Sequence, residues 1–134
     1  MAWEPYNLDQ IAHDLVFARK DYKSKDENVL GQVYKMRTTV AYGLERFWGE
    51  KLRLSGNEAE YWAATWDKLV ETMGIAGITI PNHPDADQQI TELWLDSKDK
   101  EVAKQKRDER KVALAVLTQL CNCMIWWTQR YKKA

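Results

Sequence analysis

The chain has 134 residues, 45% hydrophobic and 30% charged, with 20 basic and 20 acidic side chains and a formal net charge of zero. A chain of this kind buries about two-thirds of its unfolded surface, and its composition excludes disordered, collagen-like and disulfide-stapled classes. No apolar run approaches the roughly eighteen residues a membrane-crossing helix needs, and Glu4, Asp9 and Asp14 stand where a secretory leader needs a cationic start, so neither is expected.

The charge is unevenly spread. Residues 1–18 carry three acids and no base, residues 19–53 nine bases and five acids, residues 54–97 one base and eight acids, and residues 98–134 ten bases and four acids. Such segregation permits a basic surface on a neutral protein, or an acidic middle packed beside basic ends. The only cysteines are Cys121 and Cys123, a usage that fits a reducing cytoplasm. No repeat, low-complexity tract or long linker divides residues 1–134, so a single helical domain is expected.

In chain order, the spacing predicts a first helix after Asn7, which stands at capping-box distance from Gln10, with Leu8, Ile11, Leu15, Ala18 and Tyr22 as its apolar seam. A second helix is predicted from about Glu27 to Leu54, striped by Val29, Val33, Met36, Val40, Leu44 and Phe47. Gly43 and Gly49 interrupt it, each costing a helix about 1 kcal/mol relative to alanine. A third opens at the Asn57/Glu60 capping box and runs to about Met73, with Trp62, Trp66, Leu69 and Met73 on one face and Gly74 as its stop. Residues 74–85, "GIAGITIPNHPD", read as a partly buried loop. A fourth helix begins at His83-Pro84, with Ile90, Leu93 and Trp94 inward.

The last helix is predicted from about Asp99 to Tyr131. At 100° per residue, Val102, Ala113, Val116, Leu120, Met124, Trp127 and Tyr131 share one side. Leu114, Ile125 and Trp126 fall outside that arc. Either this helix is central to the bundle and packed on two sides, or Ile125 and Trp126 face a protein partner. Cys121 and Cys123 point about 160° apart on such a helix, so they do not grip one ion and read as small buried side chains.

Chemistry-bearing patterns are scarce. His13 reads as a rim residue beside Asp14, and His83 as a loop or helix-start hydrogen-bonding group. "GIAGIT" lacks the Lys-Ser/Thr of a phosphate loop, and no HExxH or GxSxG occurs. Glu60, Asp67 and Glu71 could share a helix face, as in a small Mg²⁺-dependent helical hydrolase, or form an ordinary solvated acidic face. No catalytic constellation, metal set or cofactor motif is therefore expected.

The clearest pattern is cationic. Lys100, Lys104, Arg107 and Lys111 recur at four, three and four residues, opposite the apolar side and with no acid on their line. They span about 16 Å of helix, the reach of two or three phosphates. Contact with RNA or another single-stranded nucleic-acid backbone is one reading; a solvated face with pairs such as Lys104–Asp108 is the other. Arg37, Arg46, Lys51, Arg53, Arg130, Lys132 and Lys133 are further cations whose placement depends on the fold.

Two patches resemble a known family. "AYGLERFW" (41–48) supplies Gly43, Leu44 and Phe47, and "LTQLCNCMIWWTQRYKKA" (117–134) supplies Thr118, Leu120, Trp127, Arg130 and Tyr131. Together, about a fifth of the chain, they are similar to the small all-helical subunits of type III, Cmr-type, CRISPR–Cas effector complexes. The acidic middle and the "GITIPNHP" loop depart from that family. The resemblance implies a non-catalytic subunit of a cytoplasmic antiviral ribonucleoprotein, with stacked copies, other protein subunits as partners, and basic residues, Arg130 among them, facing RNA. The alternatives are a helical protein-interaction module without nucleic acid, or the small hydrolase.

Overall fold

The computed structural model describes residues 7–20, 29–82, 85, 88, 89 and 100–131. Among them the architecture is all-α, without strands. Five α-helices follow one another: α1 (Leu8–Phe17), α2 (Gln32–Thr39), α3 (Leu44–Glu50), α4 (Gly56–Ile75) and α5 (Lys100–Tyr131), with a 3₁₀ turn (Val40–Tyr42) between α2 and α3. None is long and apolar enough to cross a membrane. The helix predicted from His83 lies largely outside the described residues. Of that stretch, the Gln89 N–H donates to the Asp85 carbonyl at 3.0 Å.

Helix α1 buries Leu8, Ala12, Leu15 and Val16, the i, i+4, i+7, i+8 seam of an amphipathic helix. Ala18, expected inside, is exposed, because the helix ends at Phe17 and the following turn swings Arg19 inward instead. The Arg19 guanidinium donates to the Leu15 carbonyl at 2.9 Å and to both Glu60 carboxylate oxygens at 2.6 and 3.0 Å, and it stands 5.0 Å from the centre of the Tyr61 ring. The predicted capping box does not form. Asn7 adopts a left-handed backbone conformation, and its amide donates to the Gln10 side chain at 2.9 Å rather than receiving a backbone N–H.

The predicted second helix is broken where its sequence carries Gly43. There φ is +103° and ψ 172°, a conformation open almost only to glycine, and α3 restarts in a new direction as Phe47 N–H donates to the Gly43 carbonyl at 3.2 Å. The stripe survives the break: Val29, Val33, Met36, Val40, Leu44 and Phe47 are all buried. A Cβ at residue 43 would also stand 3.0 Å from a Glu45 carboxylate oxygen. Gly43→Ala is expected to destabilise the chain by about 1–3 kcal/mol, read from urea unfolding. Unchanged stability would mean that residue 43 does not adopt this backbone conformation.

Helix α4 starts two residues earlier than the Asn57 capping box predicts, with Ser55 at its N-cap and no side-chain cap bond. Its end is a Schellman turn. Ile78 N–H donates to the Met73 carbonyl at 2.8 Å and Gly77 N–H to the Gly74 carbonyl at 3.1 Å, with Gly77, not Gly74, in the positive-φ position. The loop that follows is partly buried, as predicted, through Ile80 and Pro81. The Pro81 carbonyl accepts from the Trp66 indole at 3.2 Å and the Gln89 amide at 2.7 Å, which pins the loop to α4.

Trp48, Trp62, Trp66, Tyr61 and Phe47 are the largest buried side chains, and Phe47 packs 4.9 Å from the Trp62 ring and 6.3 Å from the Trp66 ring. One buried polar relay crosses this aromatic centre: the Trp62 indole donates to the Gln32 carbonyl oxygen at 2.9 Å, and the Gln32 amide donates to Glu58 at 2.8 Å.

Helix α5 is an unbroken rod of 32 residues, about 48 Å long. It packs most extensively on α1 and also touches α2, α4 and the 3₁₀ turn. Ala113, Val116, Leu117, Leu120, Cys121, Met124 and Thr128 are buried. Val102, assigned by periodicity to the same side, is exposed: the first three turns of the rod lie beside the 79–82 loop and not on the aromatic centre.

Cys121 is fully buried and Cys123 half-buried, and no disulfide joins them. Burial pushes the Cys121 thiol up to about 12, against the opposing field of Arg37, and burial likewise raises the Tyr61 phenol. Both groups therefore hold their protons more tightly in the folded chain than in the unfolded one. Their contribution is intact below the ordinary thiol and phenol range and is lost as pH rises from that range through the raised folded-state values. Thermal stability is expected to fall steeply between about pH 9 and 12. At neutral pH a thiol reagent is expected to modify Cys123 first and Cys121 only on unfolding. Equal labelling rates for the two thiols in the folded chain would contradict this placement.

Candidate nucleic-acid interface

The first twelve residues of α5 carry Lys100, Lys104, Arg107 and Lys111, all four exposed. Because the helix runs through residue 111 without a break, the four remain on one line along about 16 Å. No ion pair joins any of them to an acid among the described residues, and the Lys104–Asp108 pair that spacing allows is not formed. Lys104 and Asp108 instead border a shallow depression with Ile78, Gln105 and Val112. Glu101 and Asp108 flank the line without sitting on it.

Arg130 is not brought to this line. It lies 19 positions beyond Lys111, about 28 Å along the rod and turned by about 100°. Its guanidinium is stacked 3.2 Å from the centre of the Trp126 ring and donates to the Trp126 carbonyl at 2.7 Å. Trp126 is 47% exposed and borders a small cleft with Asp9, Asn122 and Cys123, whereas Ile125 is half-buried against the core. The two residues assigned to a partner surface thus differ: Trp126 faces outward, and Ile125 largely packs.

The aromatic end of α5 serves as a clamp on α1. His13 Nε2 and the Tyr131 hydroxyl are 2.8 Å apart, His13 Nδ1 lies 3.1 Å from Asp14, and the Trp127 indole donates to Asp9 at 3.1 Å. The His13 ring meets Trp127 edge-on at 4.7 Å. His83, Lys132 and Lys133 lie outside the described residues.

Glu60, Asp67 and Glu71, the acids that could share a helix face, each have a partner. Glu60 holds Arg19, Asp67 accepts from Asn82 at 3.1 Å, and Glu71 lies 3.4 Å from Lys68. Among the described residues no three potential metal ligands converge.

The remaining cations of α2, α3 and the turn that follows α3 divide by role. Arg37 donates to Asn122 at 2.8 Å and so ties α2 to α5, Lys51 lies over the Trp48 ring at 4.3 Å, and Arg53 forks onto Glu50 at 2.9–3.2 Å. Lys35 and Arg46 stand with Tyr34 and Tyr42 around a groove of about 430 Å³ on the outer side of α2 and α3. Sequence reasoning missed this groove, because the break at Gly43 sets the angle that opens it. Tyrosines on the polar side of the apolar stripe were its only visible trace.

No protein-family model matches the chain, and no curated protein and no solved structure matches it.

Proposed function

We propose that the protein is a non-enzymatic subunit of a ribonucleoprotein assembly that holds a single-stranded nucleic-acid backbone along the cationic face of α5. The observation that carries this reading is the line of four exposed cations on an unbroken helix, none paired with an acid among the described residues. Cations so placed attract phosphates without reading sequence, and each phosphate contact releases condensed counterions. The role is the one implied by the resemblance to Cmr-type small subunits. The outward Trp126 supports contact with another subunit, since half-exposed tryptophan is favoured at protein interfaces.

The test is a salt titration of binding to a labelled single-stranded RNA. The two or three phosphates within reach of the line give a slope of log K against log salt of about −1.4 to −2.1, or roughly a seven- to eighteen-fold loss of affinity between 50 and 200 mM salt. Binding that is indifferent to salt, or no binding at low salt, would refute the reading.

A further inference from the structure

We propose that the groove between α2 and α3 is a second nucleic-acid site, in which Tyr34 and Tyr42 stack on unpaired bases while Lys35 and Arg46 meet the adjoining phosphates. This rests on the polyanion reading above for the class of ligand, but different residues on different helices carry it.

Tyr42 is 63% exposed, more than any other aromatic ring described, and Tyr34 is 40% exposed. Both border the same concavity. The groove they border is concave, with about 430 Å³ of space, enough for flat rings but far too small for a duplex.

Charge complements the rings. Arg53 is neutralised by Glu50, which leaves Lys35 and Arg46 as the excess charge of the groove; neither is in an ion pair among the described residues. The Glu50 carboxyl is held below its ordinary range by the Arg53 hydrogen bond first, with Lys35 and Arg46 adding to the effect, so these cations share one local field. The Arg46 guanidinium lies 5.6 Å from the Tyr42 ring centre, within reach of the phosphate of a nucleotide stacked there. The floor asks for nothing: the Thr38 and Thr39 hydroxyls donate to the Tyr34 and Lys35 carbonyls at 3.0 and 2.7 Å. Aromatic faces between cations suit bases joined by phosphates, and stacking requires those bases to be unpaired. An acidic peptide would use the cations and leave the rings without a role.

The experiment compares the full chain's binding to an oligouridylate of about a dozen nucleotides with its binding to an abasic strand of equal length and charge. The expected result is tighter binding of the base-bearing strand by about ten-fold for each stacked ring. Tyr34→Ala/Tyr42→Ala removes that difference and leaves abasic binding and its salt slope unchanged, while Tyr34→Phe/Tyr42→Phe retains it. Equal binding of the two strands by the unaltered chain overturns the proposal, as does a base preference that survives the double alanine variant. Displacement of the oligouridylate by polyglutamate at equal charge also overturns it and assigns the groove to an acidic protein segment. The two readings separate cleanly. Base preference retained in Lys104→Glu/Arg107→Glu with an unaltered salt slope removes the α5 face and keeps the groove. Salt-dependent binding without base preference removes the groove and keeps α5. Absence of binding to either strand removes both.

Discussion

Lys104→Glu/Arg107→Glu is expected to cut the salt slope for single-stranded RNA to about half and to leave the fold intact. Two of the four cations are reversed, so a slope of about −1.4 to −2.1 falls to about −0.7 to −1.1, and the loss of affinity between 50 and 200 mM salt shrinks from about seven- to eighteen-fold to about three- to four-fold. At low salt the absolute affinity falls further than neutral substitutions would cause, because the new carboxylates repel the strand. Both side chains are exposed and touch no described acid, so the melting temperature should stay within about 2 °C of the unaltered chain. The effect should also be uniform across base sequences, since phosphate contacts carry no sequence information. Arg130→Glu is the internal control. It sits about 28 Å further along the rod, on another face, and should leave that slope nearly unchanged. A slope as steep in the double variant as in the unaltered chain would refer the binding to other cations.

Gln32→Ala should be the most damaging single change among the buried polar residues. Gln32 is fully buried and bridges the Trp62 indole to Glu58. Truncation leaves a buried indole N–H unpaired, which costs about 1–3 kcal/mol, and opens a cavity beside the aromatic centre at a further cost of about 2 kcal/mol. The sum, about 3–5 kcal/mol, corresponds to a fall of about 10–20 °C in melting temperature. Gln32→Met keeps most of the volume and isolates the hydrogen-bond part, so its loss should be about half as large. A melting temperature within about 3 °C of the unaltered chain for Gln32→Ala would show that residue 32 is not buried against Trp62.

Apolar periodicity made most of this architecture legible. The stripe from Val29 to Phe47, the face formed by Trp62, Trp66, Leu69 and Met73, and the length of α5 all follow from which side of a helix water rejects. Periodicity reports the side a residue faces and is nearly blind to backbone direction. The glycine at 43 signalled an interruption that the stripe itself does not show, because Leu44 and Phe47 return to the interior whether or not the helix bends. Cap residues escaped for a different reason. An Asn three positions before Gln or Glu can bond several local partners, and Asn7 chose the Gln10 side chain. Nor does any local signal say which charged residue goes inside. Arg19 is buried because Glu60, Leu15 and Tyr61 happen to converge on it across two helices.

The cationic line was visible because it needs only one helix to stay straight. The Tyr34–Tyr42 groove needs two helices at a fixed angle, and His13–Tyr131 needs partners 118 positions apart, so neither has a local signature.

That last pairing has a consequence for how the chain matures. The most extensive helix contact joins α1 to α5, and the clamp at its end uses Trp127 and Tyr131. A nascent chain that has left the ribosome only as far as α4 carries α1 with its greasy side uncovered, and closing so long a loop comes late. Translation of the final turns, or delivery of that stretch from a separately made peptide, should be the event that completes the interior.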